Sequence, residues 1–118
     1  MSEIAELKKK LDRVREYKFN WNLNRTEPTS KTVIDNTEKL LYLLNDGGYW
    51  LPEPADVDSF NQMSMDVEIK TDAGLVSMLI FDDEISFYVE LNDGTYEEHD
   101  VKTDFTEVPA VLAQFLKK

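Results

Sequence analysis

The spacing of apolar residues changes period partway along the chain, and nothing else in the sequence restricts the fold as much. Ile4, Leu7, Leu11 and Val14 recur at alternating intervals of three and four, the seam of an amphipathic helix over residues 2–16. Ser2 is a suitable N-cap, and Glu3 and Glu6 sit in the first turn, where the helix dipole favours acids. Val33, Ile34, Thr37, Leu40, Leu41 and Leu44 repeat the pattern from Lys31 to Asn45, after a Thr29-Ser30 cap and before an Asp46-Gly47-Gly48 stop. Tyr42 and Leu43 widen the stripe, so this helix needs cover on more than one side, from the first helix or from Trp50.

Beyond this point the period is two. Met63, Met65, Val67 and Ile69 alternate with Ser64, Asp66, Glu68 and Lys70, predicting a strand with one face buried and one in water. Asp72-Ala73-Gly74 turns the chain. Leu75 to Phe81 is apolar on both faces except at Ser77, predicting a central strand covered on both sides, and Asp82-Asp83-Glu84 ends it. Ile85, Phe87, Val89 and Leu91 form the next buried face, Asn92-Asp93-Gly94 has the residues of a hairpin turn, and Tyr96 to Lys102 reads as a polar edge strand. Thr106 is a candidate cap for a last helix, with Pro109 in its first turn and Val108, Val111, Leu112, Phe115 and Leu116 as its stripe. Phe19, Trp21 and Leu23 alternate with asparagines as a short strand or ordered loop, and Trp50-Leu51-Pro52-Glu53-Pro54 is an extended connector. The predicted fold is α+β: an antiparallel meander sheet of about four to five strands, with two N-terminal helices and one C-terminal helix packed on it.

A chain of 118 residues fits one domain, 1–118, and at that size buries roughly two thirds of its unfolded surface without a staple. There is no cysteine, which removes disulfides and thiolate chemistry and agrees with a reducing, cytoplasmic setting. No stretch approaches the ~20 apolar residues of a membrane span, and the amino terminus has no apolar run of signal length.

Charge is distributed unevenly. The first 31 residues carry a balance of +3 and the remainder −14; from Glu53 to Glu107 there are sixteen acids against two lysines. Lys8, Lys9, Lys10, Arg13 and Arg15 read as the solvated face of the first helix. An acidic field of this strength attracts basic partners and repels free nucleic acid, so Trp21, Trp50, Tyr49, Tyr88 and Tyr96 lack the positive groove that base stacking requires. Trp21 and Trp50 read as packing residues.

Reactive constellations are scarce. The single histidine, His99, lies in Glu97-Glu98-His99-Asp100, but on a strand Glu98 and Asp100 face away from Glu97 and His99, so at most two of the four converge. No metal site or cofactor is expected. Asp56 with Asp58, and Asp82-Asp83-Glu84, lack the ligand spacing of a calcium loop. No phosphate-binding glycine loop or nucleophile elbow occurs. Carboxylates suffice for an acid-base pair, yet without a motif the chain reads as a non-enzyme.

The succession Asn20-Trp21-Asn22, Pro28 before a helix ending in Lys39 to Leu44, Leu51-Pro52-Glu53-Pro54 and the Ile85-Ser86-Phe87-Tyr88 hairpin segment resembles a loose group of small uncharacterised bacterial and phage-associated α+β proteins. The resemblance covers residues 19–95, with Asn22-Leu23 where the group has an Asp-Gly-like turn. It implies the layout above and a mobile-element context, and no functional residue carries over.

Outward carboxylates on neighbouring strands form rows with the spacing of a polyanion: about 6 to 7 Å along a strand and about 4.8 Å between strands. Asp66, Glu68, Glu90, Glu97, Glu98 and Asp100, with Tyr88 and Tyr96 as anchors, therefore form the candidate partner-binding set. The function this predicts is an acidic module that neutralises a basic nuclease, toxin or DNA-binding protein, in the manner of an immunity, antitoxin-like or anti-defence inhibitor, by nucleic-acid mimicry. The alternatives are a structural or assembly subunit that self-associates through Ile4, Leu7, Leu11 and Val14, and a carboxylate-based enzyme.

Overall fold

The structure, a computed structural model, describes residues 3–16, 30–61 and 63–118. The Phe19–Leu23 alternation, Trp21, Pro28 and the Thr29 cap lie outside them. The elements are α1 (Glu3–Glu16), α2 (Lys31–Asp46), a 3-10 turn (Pro54–Asp56), β1 (Val57–Asn61), β2 (Ser64–Lys70), β3 (Gly74–Ile80), β4 (Glu84–Leu91), β5 (Tyr96–Lys102) and α3 (Ala110–Leu116). The five strands form one antiparallel sheet in the order β1-β2-β3-β4-β5. This is the expected α+β meander with two helices before it and one after.

Each helix forms where its apolar stripe can be buried. The Ser30 hydroxyl accepts from the Val33 amide at 3.2 Å and caps α2, and Val33, Ile34, Thr37, Leu40, Leu41 and Leu44 are all buried. Thr37 enters this apolar set because its hydroxyl donates to the Val33 carbonyl at 2.9 Å, so that its buried hydroxyl is paired. Leu7, Leu11 and Val14 of α1 are buried in the same core, with Ile4 packed against it. The seam considered for self-association therefore faces the domain's own interior.

All three helices lie on one face of the sheet, over Val57, Met65, Val67, Ile69, Val76, Met78, Ile80, Ile85, Phe87 and Val89. Their opposite-parity neighbours form an open face that no described element covers. The expectation that β3 is covered on both sides is thus corrected: Leu75 and Leu79 are half-buried on the open face, flanked by neighbouring strands and not capped by a second layer. Met63 is not an inward strand residue either; it sits in the β1–β2 turn at 63% exposure, and β2 begins at Ser64. α3 starts at Ala110 with Pro109 at its N-cap position and no side-chain cap, so Thr106 lies outside it.

Two turns are fastened from outside. Asn36 of α2 donates to the Phe81 and Asp82 carbonyls at 3.0 and 3.1 Å, tying the β3–β4 turn to the helix layer. At β2–β3, Gly74 has φ +155°, and a Cβ there would collide with the Glu90 carbonyl on β4. Gly74→Ala therefore combines a disfavoured backbone with overpacking, and should cost about 1–3 kcal/mol; urea unfolding checks this, with the midpoint lowered and the m-value unchanged.

Candidate functional site

The meander register fixes which side chains share the open face. Asp58 pairs with Asp66, Asp66 with Leu79, Leu79 with Ser86 and Ser86 with Asp100, making one row across all five strands. The next row runs Glu68, Ser77, Tyr88, Glu98, and the one after it Lys70, Leu75, Glu90, Tyr96. Asp66, Glu68, Tyr88, Glu90, Tyr96, Glu98 and Asp100 of the predicted set are therefore brought onto one surface.

Glu97 is not among them. It shares the helix-side parity of His99, whose Nε2 lies 3.1 Å from Glu97 Oε1. The His99 ring stacks on Phe87 with centroids 5.1 Å apart and stands 6.1 Å from Phe115 of α3. His99 thus finishes the edge of the core beside α3, and Glu97 lies next to it, exposed, on the same side of the sheet. Among the described residues no group of three or more His, Asp or Glu side chains is arranged to hold a metal ion.

The open face is ordered by its hydroxyls and rings. Ser86 Oγ donates to Asp100 at 2.7 Å, and Ser77 Oγ to Glu68 at 3.3 Å, so the serines between the acidic strands orient carboxylates lying on their flanks. Tyr88 and Tyr96 stack across β4 and β5, centroids 5.4 Å apart and planes 29° from parallel. Glu98 sits opposite Tyr88, and Glu90 opposite Tyr96. Between β2 and β5 the surface forms a shallow, solvent-open depression of about 840 Å3, bordered by Asp66, Leu79, Tyr88, Glu98 and Asp100.

Five of its carboxylates, Asp66, Glu68, Glu90, Glu98 and Asp100, have no ion-pair partner among the described residues; the lysines of this face are Lys70 and Lys102, each at a strand end. Partial burial, followed by the nearby charges of Glu68 and Asp58, raises the Asp66 carboxyl above its ordinary value. Desolvation and the neighbouring Glu90, Tyr96 and Glu98 likewise raise the Tyr88 hydroxyl.

The cations are engaged elsewhere. Arg15 binds Glu38 at 2.7 Å and Asp35 at 2.8 Å across α1 and α2, and Lys8 reaches Glu38 at 3.0 Å. Lys8 and Arg15 are consequently not part of a freely solvated basic face. Their contacts hold Asp12 and Asp35 below the usual carboxylate range, through the Lys8 and Arg15 hydrogen bonds respectively. Sequence periodicity locates α1 and α2 but not which of their polar edges meet, so this lattice has no local sequence signal. Asp58 was also missed as a member of the acidic row, because β1 has too short an alternation to set its phase.

Comparison of the chain with protein-family models, with curated proteins and with solved structures finds no match in any of the three. No described helix is long and apolar enough to cross a membrane.

Because Asp66 is raised in the fold, the folded protein holds its proton more tightly than the unfolded chain, and ionisation of this group works against folding. The penalty is present at neutral pH and is relieved as pH falls through the folded value. Asp66→Asn should therefore raise the Tm at pH 7, with the gain shrinking to nothing below about pH 4, where the carboxyl is protonated in both states; thermal unfolding across pH 3–7 measures it.

Proposed function

We propose that the protein is a non-catalytic binding module that engages a basic protein through the open face of its sheet and neutralises it by occupying the cationic surface that would otherwise meet nucleic acid. The observation that carries this reading is the unneutralised set Asp66, Glu68, Glu90, Glu98 and Asp100 gathered around the Tyr88–Tyr96 stack. Rows of carboxylates at strand spacing offer a regular negative array. Its field accelerates encounter with a positive partner, while exposed aromatic rings and the half-buried Leu75 and Leu79 supply contact area that charge alone does not.

Retention of the partly buried Asp66 beside Asp58 and Glu68, where its ionised form opposes folding, also favours function over mere solubility. Scattered charges solubilise a surface equally well, whereas like charges on adjacent strands oppose folding. An uncompensated local penalty of this kind is characteristic of binding surfaces, where stability is given up for affinity. A nuclease, toxin or DNA-binding protein is the fitting partner class, which makes the role that of an immunity, antitoxin-like or anti-defence inhibitor. A cytoplasmic setting and a phage or mobile-element origin belong to the same proposal.

Affinity capture from the source organism, at low and at moderate salt, tests this with the wild-type chain beside Asp66→Lys/Glu68→Lys. The proposal expects a basic protein retained at low salt, released at moderate salt, and bound at least tenfold more slowly by the reversed variant, whose fold is unchanged by circular dichroism. A partner held equally by both chains and indifferent to salt would contradict it.

A further inference from the structure

The open face carries more than charge. Tyr88 and Tyr96 form a stacked pair with a carboxylate directly across the strand from each ring, Glu98 beside Tyr88 and Glu90 beside Tyr96. Tyr96 is 64% exposed, so a ring surface is presented to solvent. No described element packs over this pair, and the depression beside it is bordered by Asp66, Glu98 and Asp100.

A ring face flanked by carboxylates discriminates between the two basic side chains. Guanidinium is planar and weakly hydrated; it stacks on an aromatic face while its edge donates paired hydrogen bonds to a carboxylate. Ammonium is a compact, strongly hydrated charge with neither the plane to stack nor the fork to pair. A surface recognising positive charge only through its field treats the two alike.

We propose that the open face selects arginine over lysine, with the partner's guanidinium groups lying against the Tyr88–Tyr96 pair and pairing with Glu98 and Glu90. The occupant is an arginine-bearing segment of a basic protein. This rests on the acidic-face reading above and goes beyond it by naming the side chain that is read. Charge complementarity supports that occupant, because the carboxylates around the rings have no cation of this chain paired to them among the described residues.

The test is titration calorimetry at low salt with two peptides of equal length and net charge, one arginine-rich and one lysine-rich, against the wild type, Tyr88→Leu, Tyr96→Leu and Asp66→Lys/Glu68→Lys. The expected result is about tenfold tighter binding of the arginine peptide, within the range of a partly desolvated cation–π contact. Either tyrosine substitution should abolish that preference, lowering arginine-peptide affinity more than lysine-peptide affinity until the two peptides bind within twofold of each other. The exposed Tyr96 supplies the variant if Tyr88→Leu does not fold. Equal affinities for the two peptides, both lost in the charge-reversed chain, overturn arginine selection and leave the acidic-face reading standing. So does an arginine preference that survives both tyrosine substitutions. Binding of neither peptide to the wild type overturns both readings.

Discussion

A β-strand sends alternate side chains to opposite faces, and among the described residues only one of those faces carries a helical layer. The rest of the structure follows from that asymmetry. Period-two alternation across β2 to β4 puts Met65, Val67, Ile69, Val76, Met78, Ile80, Ile85, Phe87 and Val89 under the helices, and the same alternation sends Asp66, Glu68 and Glu90 to the other side. With every hairpin a simple antiparallel connection, the register carries the phase from strand to strand. Polar positions therefore collect in transverse rows instead of dispersing. The acidic face is the complement of the core, generated by the same sheet geometry.

Charge segregation completes the division. Lys8 and Arg15 are bound by Asp12, Asp35 and Glu38 between α1 and α2, which removes them as counterions for the sheet. Individual carboxyls on the two sides respond in opposite directions: Asp12 and Asp35 of the helix pair are held low by cations, and Asp66 is held high by burial and by its acidic neighbours. Ionised Asp12 and Asp35 stabilise the fold, whereas ionisation of Asp66 opposes it.

Much of this was legible in the sequence because it depends on local period and turn chemistry. α2 ends within one residue of its predicted limit, since Ser30 and Gly47-Gly48 punctuate an uninterrupted stripe. β2, β3 and β4 declare themselves by alternation, and Asn92-Asp93-Gly94 by its turn residues, with the Asp93 carboxylate accepting from the Thr95 amide at 2.9 Å. What was not legible depends on tertiary arrangement. β3 is apolar at Leu75 and Leu79 as well as on its core face, and sequence alone does not distinguish a covered second face from flanking by Tyr88 and the neighbouring strands. β1 has five residues, too few to reveal its phase, so the contribution of Asp58 was hidden. Glu97 belongs to a dense acidic run, and run density obscured what strand parity already implied, that it lies with His99 on the helix side of the sheet.

The division is electrostatic: among the described residues Asp66, Glu68, Glu90, Glu98 and Asp100 of the open sheet face have no ion-pair partner, while Asp12, Asp35 and Glu38 between the helices do. Side-chain 13C NMR titration of the wild-type carboxyl groups measures both populations in one experiment. Asp66 should titrate above the ordinary aspartate value and Asp12 and Asp35 below it, with added salt removing the part of the Asp66 shift due to Glu68 and Asp58 and leaving the larger part due to burial. Asp66 titrating at or below the ordinary aspartate value would mean that the open face is already neutralised, and would contradict the account.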